Sequence, residues 1–205
     1  MKLGTVAASL GGASAASVAA AGGYHYLSSK NPSIQEVLKD SKLISGLSSD
    51  AVTKQWEEEF ESAKTNIKTL IGFNSEDKAE GGKALAKWCN DQMSLDSVKN
   101  EDVLKNVKNY CLVRSVSSQL SRLGKTLLGS SHTTEWTTTY KKRKTQQTPR
   151  TDVGLDGNWN GDHETTELPT VKNWCSANSG KDFVAKEGLY EKVLKWCTQE
   201  GANEQ

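Results

Sequence analysis

The chain has 205 residues, of which 35% are hydrophobic, and its 26 Lys and Arg nearly balance its 25 Asp and Glu. This length is enough for one domain or two small ones with a modest core. The near-neutral charge argues against a protein that mainly coats nucleic acid, because that task requires a surplus of cations to neutralise phosphates. We therefore expect no nucleic-acid partner.

Residues 1–30 have the composition of a membrane segment or a targeting signal. No Asp, Glu, Lys or Arg occurs between Lys2 and Lys30, and the small-residue apolar stretch 3–24 is 22 residues long. A spanning helix needs about 20 such residues, and Lys2 favours a cytoplasmic start. We expect a single-pass anchor in the cell membrane, with the C-terminal region extracellular. A signal peptide cleaved near 19–21 and a soluble Ala/Gly helix are the alternatives.

The rest of the chain contains two segments that match at an offset of 86 residues. Each has an aromatic–Cys pair at both ends: Trp88–Cys89 and Tyr110–Cys111 in the first, Trp174–Cys175 and Trp196–Cys197 in the second. Upstream, 53–65 resembles 133–145 more loosely. Such a duplication has to be recognised before the fold is argued. The predicted segments after the anchor are a linker, repeat 1, repeat 2 and a disordered tail: 31–49, 50–128, 129–199 and 200–205.

Apolar residues in both segments recur with the period of a helix. Val103, Val107 and Tyr110 are spaced i, i+4, i+7, and the equivalent positions of the second segment keep this spacing. Each Cys-to-Cys segment is therefore predicted to be an αα-hairpin, with a short helix through Trp–Cys, a turn and a helix of about four turns. The fold class is all-α, a membrane helix followed by two diverged helical repeats. The large aromatic residues are assigned to the core: Trp88, Tyr110, Trp174 and Trp196.

The four cysteines allow three disulfide connectivities. Antiparallel helices in each hairpin would bring its two cysteines side by side, which favours Cys89–Cys111 and Cys175–Cys197. A disulfide closing a loop of this length stabilises a fold by roughly 3 kcal/mol in the loop-entropy description. The even cysteine count and the export-like start favour disulfides. The alternative is a cytosolic helical scaffold with four buried free thiols.

Residues 156–167 fit the calcium-loop pattern D-x-[DN]-x-[DN]-G-x5-E. The candidate ligands are oxygen donors at the pattern's fixed positions: Asp156, Asn158, Asn160, Asp162 and Glu167. Pro149 and Pro169 flank the segment, so we expect no long helix to enter or leave it closely. A polar turn within a long exposed loop, 145–170, is the competing interpretation. Calcium is the one cofactor that the sequence suggests.

No arrangement typical of catalysis is present, so we expect a protein without enzymatic activity. The three histidines are scattered, no cysteines have the C-x-x-C spacing of a zinc site, and Gly124-Lys125-Thr126 lacks the other features of a phosphate-binding loop. An enzyme with an unrecognised site is a further alternative. The basic run 141–144 is interpreted as a solvated face that could meet the acidic run 57–61.

The Ala/Gly segment, the following NPSIQEVL and the spaced Trp, Trp–Cys and aromatic–Cys elements carry a resemblance. The layout resembles, over nearly the whole length, the large paralogous families of membrane-anchored proteins of haemotrophic mycoplasmas. The resemblance implies a wall-less bacterium whose anchored proteins face the host directly. It implies no catalytic residues to carry over, and the calcium-like run 156–167 is not part of it.

The expected function is that of a non-catalytic surface protein for host interaction or antigenic variation. Its expected partners are the membrane, through residues 1–30, and a host surface protein. The alternatives are a calcium-dependent extracellular binding module and a cytosolic helical scaffold.

Overall fold

The computed structural model describes residues 31–161 and 163–204, and the regular elements within these ranges are all helices. The nine α-helices are α1 Ile34–Val37, α2 Ser49–Ser62, α3 Lys64–Ile71, α4 Lys78–Gln92, α5 Glu101–Tyr110, α6 Val116–Arg122, α7 Thr133–Thr145, α8 Glu164–Ser179 and α9 Leu189–Cys197. Three short 3₁₀ helices cover Ile44–Gly46, Arg150–Val153 and Glu200–Ala202. The all-α prediction is confirmed.

The membrane helix expected at 1–30 lies outside the described residues. Across 31–161 and 163–204, no helix combines the length and the apolar character needed to cross a bilayer.

Helix boundaries follow local capping. Ser33 opens α1 with a reciprocal capping box, in which its hydroxyl accepts from the Glu36 amide and the Glu36 carboxylate accepts from the Ser33 amide. The side chains of Asp77 and Ser115 likewise accept hydrogen bonds from backbone amides and cap the N-termini of α4 and α6. Gly72 ends α3 at a φ of 64°, a left-handed conformation that favours glycine. These short polar signals divide the chain into brief helices.

The buried apolar side chains form two separate cores, one per half of the chain. The first contains Phe60, Leu85 and Val107, and the second contains Tyr140, Val171 and Val193. Each core surrounds one pair of cysteines. The fold is therefore two small helical units joined in sequence.

Residues 31–49, interpreted from the sequence as a linker, belong to the first unit. Ile34, Leu38 and Ile44 are buried in its core, and antiparallel bridges join Ser33 to Asp96 and Leu43 to Leu112. The second unit begins in the same way: bridges join Ser115 to Asp182 and Leu127 to Thr198, and Val116, Leu120 and Leu128 lie in the second core. The described units are thus 31–113 and 114–204. The aromatic–Cys markers lie inside each unit and carry no signal for where it starts.

The helices of each hairpin differ in length from the prediction. The first helix is the longer one, with 15 residues in α4 and 16 in α8, whereas α5 has 10 and α9 has 9. The α8 helix also contains Pro169, so the expectation that no long helix leaves the 156–167 segment closely is wrong. One proline removes a single intrahelical hydrogen bond, and the helix continues because Val171 and Cys175 anchor it in the core.

The two units differ where their first long helices meet. In the first unit α2 and α4 pack closely across Gly81 and Gly82. A Cβ atom on Gly81 would overlap the Phe60 ring, and one on Gly82 would lie 2.9 Å from the backbone nitrogen of Glu57. At the offset of 86 residues, Glu167 takes the place of Gly81. The α7 and α8 helices contact each other less closely than α2 and α4 do, and loop residues lie between them, with Trp159 against Tyr140 and Arg150 bonded to Glu167.

The glycine contact gives a direct test of this packing. Gly82→Val is expected to lower the free energy of unfolding by roughly 2 to 3 kcal/mol, because backbone atoms of α2 cannot move away from the new side chain. Urea unfolding followed by circular dichroism measures the change. Gly46→Ala is the control, because no atom lies within 4 Å of its added Cβ. Equal stability of the two variants would contradict the close packing of α2 and α4.

Candidate functional site

Both favoured disulfides are present. Cys89 is bonded to Cys111 and Cys175 to Cys197, with Cα–Cα distances of 5.8 and 5.6 Å. Each bond joins the long helix of a unit to the end of its second helix, and no cysteine remains free. All four cysteines are buried. While they are oxidised, none of them can act as a nucleophile or a metal ligand.

The aromatic residues beside the cysteines divide into two groups. Trp196 and Tyr110 are buried, as predicted. Trp88 and Trp174 are only half-buried and pack against the edges of the two cores, so their assignment to the core interior is corrected. Each of them precedes a core-facing cysteine by one position, which on a helix turns the side chain about 100° away from the interior.

An arginine closes the loop that connects α7 to α8. The side chain of Arg150 is 8% exposed, and its guanidinium donates to both carboxylate oxygens of Glu167 at 2.9 and 2.7 Å. The same group donates twice to the backbone carbonyl of Asp156, at 2.9 and 2.7 Å. One buried cation therefore holds both ends of the 156–167 segment.

Aromatic rings pack around this arginine. Arg150 and Trp159, with their partners Tyr140 and Glu167, form a cluster between α7 and α8 that we call the wedge. Trp159 stacks on Trp196 with ring centroids 6.1 Å apart, and the Arg150 guanidinium lies 4.9 Å from the Trp159 centroid. The Trp159 indole donates to the carbonyl of Thr148 at 2.8 Å, and Tyr140 donates its hydroxyl to Glu167. The wedge is a packed and hydrogen-bonded structure that holds the described part of the connection between α7 and α8 in place.

The calcium pattern does describe a loop whose two ends meet at a cation, but the cation is Arg150. The side chains of Asp156, Asn158 and Asn160 are exposed, and Asp162 lies outside the described residues. Across 31–161 and 163–204, no group of three or more His, Cys, Asp or Glu is placed to hold a metal ion. Calcium binding stays a prediction, and it would require the ion to displace a guanidinium from Glu167.

The ion pair and the burial of the wedge shift the pKa values of its ionisable groups. Hydrogen bonds from Arg150 hold the pKa of Glu167 below its ordinary value, and burial opposes this only in part. The bond to Glu167 in turn raises the pKa of Arg150. Burial and the neighbouring carboxylate raise the pKa of Tyr140. All three groups keep the protonation states that the wedge requires at neutral pH.

Acidification is expected to loosen the wedge through Glu167. Since its pKa is lowered in the folded chain, its contribution to stability is complete above the ordinary value of 4.5 and is lost as the pH falls through the lowered pKa. Between about pH 5 and pH 3, the native chain should therefore lose more free energy of unfolding than Glu167→Gln. Urea titrations across this range measure the difference, with the exposed-site variant Glu187→Gln as control. Parallel pH curves for the native chain and Glu167→Gln would exclude this role.

The basic run 141–144 is a solvated face only in part: Lys141 is exposed, whereas Arg143 is not. Arg143 is fully buried and donates to the carbonyls of Gly201 and Glu204 at 2.8 and 2.6 Å. Residues 200–204, predicted to belong to a disordered tail, are therefore held against α7. Lys144 donates to the carbonyl of Gly161. Within the acidic run, Glu61 pairs with Lys64 and Glu58 with Lys78, both in the first unit.

The two units meet across a buried polar junction centred on Glu59. Its carboxylate is fully buried on α2 and pairs with Arg122 at 2.6 Å and with Arg114, both from the second unit. Gln55, one turn earlier, accepts from the backbone amide of Ala185 at 2.7 Å. Burial raises the pKa of Glu59, and the two guanidinium groups offset part of that rise. Exposed ion pairs flank the junction, between Lys42 and Asp182 and between Asp50 and Lys186.

An open groove of about 430 Å³ lies beside the second disulfide. Its floor is apolar, with Leu127, Leu128, Trp136 and the two cysteines, and its rim carries hydroxyl and amide groups together with Lys172. The floor is held by hydrogen bonds: the Trp136 indole donates to the Gly129 carbonyl at 3.0 Å, and the Gly129 amide donates to His132 Nδ1 at 2.9 Å. This groove and the wedge are the two candidate functional features of the second unit.

No family model, no curated protein and no solved structure matches this chain. The function must therefore be inferred from the residues and their geometry.

Sequence reasoning missed three features of the site: the role of Arg150, the buried pairing of Glu59 and the groove. A signal existed for Glu59, which lies four residues after Gln55 and next to Phe60, in the segment 53–65 that resembles 133–145. Arg150 lies in the polar loop 145–170, where no local pattern marks it as a partner of Glu167. The groove depends on the packing of residues distant in sequence, and no local pattern predicts it.

Proposed function

We propose that the protein is a non-catalytic surface protein, anchored in the cell membrane by residues 1–30, whose helical part lies outside the cell and contacts other proteins. In a wall-less bacterium of the kind that the resemblance implies, that partner is a host surface protein. Host contact or antigenic variation is the corresponding biological role.

The two disulfides are the observation that supports this proposal. Disulfides persist in oxidising compartments and are rare in the cytosol, and each unit here encloses one inside a small core. Small exported domains gain stability from such bonds when their apolar core is limited. An apolar N-terminal stretch that could direct export precedes the two units in the sequence.

We further infer that the two units are diverged copies of one ancestral unit. The disulfides each span 22 residues, and each unit opens with two antiparallel bridges to its own hairpin. The bridges Ser33–Asp96 and Ser115–Asp182 reach the same turn of the two hairpins, after α4 and after α8. A duplicated module with variable loops suits a surface protein, because loops can change while the stapled cores persist.

The test is a count of thiols on intact cells. A membrane-impermeant maleimide is applied first, the cells are then lysed under denaturing conditions with a second thiol reagent, and a third reagent is added after reduction. We expect no label from the first two reagents and four labels per chain from the third. An abundant cytosolic thiol protein serves as the control for membrane integrity.

Topology is measured separately with an impermeant amine reagent, which should modify exposed lysines of the helical part on intact cells. Four thiols labelled only after lysis, together with lysines protected from the amine reagent, would overturn export. The cytosolic scaffold would then be the better interpretation.

A further inference from the structure

The groove beside the Cys175–Cys197 disulfide has the chemistry of a site for the end of a peptide chain. We propose that it binds the C-terminal residue of a partner protein, with an aromatic side chain against the apolar floor and the terminal carboxylate at Lys172. This inference deepens the proposed function, on which it rests, by naming the chemistry of the partner.

Size and shape support the site. A volume of about 430 Å³ lies within the range of pockets that enclose small ligands or single large side chains. Trp136, Leu127 and Leu128 supply an apolar surface, and the Gly129 hydrogen bonds fix the Trp136 ring before any ligand arrives. A floor that is already ordered loses little conformational freedom on binding.

The charge of the lining residues indicates which ionised group should accompany the apolar part of a ligand. Lys172 is the one charged residue among those that line it, and no carboxylate does. Its ammonium lies 5.6 Å from the Trp136 ring centroid and forms no ion pair with any carboxylate in the described part of the chain. An anion at the edge of the ring is therefore favoured. A free C-terminus provides a carboxylate next to an apolar side chain, and hydroxyl groups of Ser130 and Ser176 on the rim can donate to it.

Comparison with the first unit indicates that the groove is specific to the second. At the offset of 86 residues, Lys172 corresponds to Ala86 and Ser179 to Met93. Met93 packs against the first core as a partly buried apolar residue, whereas Ser179 lines the groove. A small polar residue thus stands where the first unit has a large apolar one, and a cation stands where it has a methyl group.

The test uses the purified, oxidised full-length protein in lipid nanodiscs and fluorescence anisotropy of a labelled pentapeptide ending in phenylalanine. The same peptide with a C-terminal amide is the paired ligand, and empty nanodiscs are the blank. We expect the free carboxylate to bind at least about tenfold more tightly than the amide. Lys172→Gln should reduce the affinity for the acid to that for the amide, while Lys142→Gln, at a lysine outside the groove, should leave both unchanged.

Ser179→Met fills the groove with the residue of the first unit and should abolish binding of both peptides without lowering the melting temperature. Equal affinity for acid and amide, or no binding at millimolar peptide, would overturn the proposal. If phenylacetate competed as strongly as the unlabelled peptide, the groove would be assigned to a free aromatic acid. The proposal that it binds a protein C-terminus would then be wrong. Because the protein is purified in oxidised form, these results do not depend on whether export is confirmed in cells.

Discussion

Replacing both cysteines of either disulfide by alanine is expected to lower the free energy of unfolding by about 3 kcal/mol. Each bond closes a loop with a sequence separation of 22, and the loss follows from the entropy that the open loop regains in the unfolded chain. The expected cost is the same for Cys89/Cys111 and Cys175/Cys197, because the two loops have the same length. A stability of 5 to 15 kcal/mol is typical of native proteins, so about 3 kcal/mol is a large fraction of it.

Hydrogen exchange locates the effect as well as measuring it. Each double variant should lose protection mainly in the unit that carries the missing bond, since each core surrounds its own disulfide. The control is the native chain under the same oxidising conditions. A uniform loss of protection across 31–161 and 163–204 would show that the two units unfold as one body and would contradict separate cores.

Glu59→Ala is expected to destabilise the protein by about 3 kcal/mol or more, because it leaves two guanidinium groups facing each other at the junction without their shared anion. The partial exposure of Arg114 and Arg122, at 11% and 19% of their side chains, keeps the expected loss near the lower end of the range for buried pairs. Urea unfolding of the variant and the native chain measures it.

A triple variant separates the role of charge from the role of packing. Replacing Glu59, Arg114 and Arg122 together by methionine removes all three charges while keeping apolar volume, and such replacements are often neutral or stabilising. We expect the triple variant to recover most of the stability lost in Glu59→Ala. Glu58→Gln, which removes a partly exposed ion pair with Lys78 from the same helix, is the control and should change little. If the triple variant were less stable than Glu59→Ala, the ion pairs themselves would be shown to stabilise the junction.

The sequence allowed the disulfide pairing and the helical class to be predicted because both depend on local spacing. An αα-hairpin brings residues near its two ends together whatever surrounds it, so the repeated aromatic–Cys distance was sufficient. The relative helix lengths were not predictable in the same way. The buried face of α4 includes Gly81 and Gly82, which show no apolar periodicity, although they permit the closest helix contact in the first unit.

The wedge shows what a local sequence pattern cannot predict. The calcium pattern located a segment whose ends come together, but the pattern contains only the segment itself and not Arg150, six residues before it. A guanidinium and a divalent ion satisfy the same carboxylate and carbonyl oxygens, and which one is present depends on the chain outside the motif. Glu59 was hidden for a related reason: its two partners lie 55 and 63 residues away in sequence.

The placement of the disulfides has a mechanical consequence. A pull applied between residues 31 and 204 would first be resisted by the polar junction and its flanking ion pairs, which join the units without a covalent link. Once the units separate, each disulfide keeps its 22-residue loop from extending, and that loop would otherwise release roughly 75 Å of chain. Under tension the molecule would therefore extend to less than the full length of its chain, and Cys175 and Cys197 would stay together.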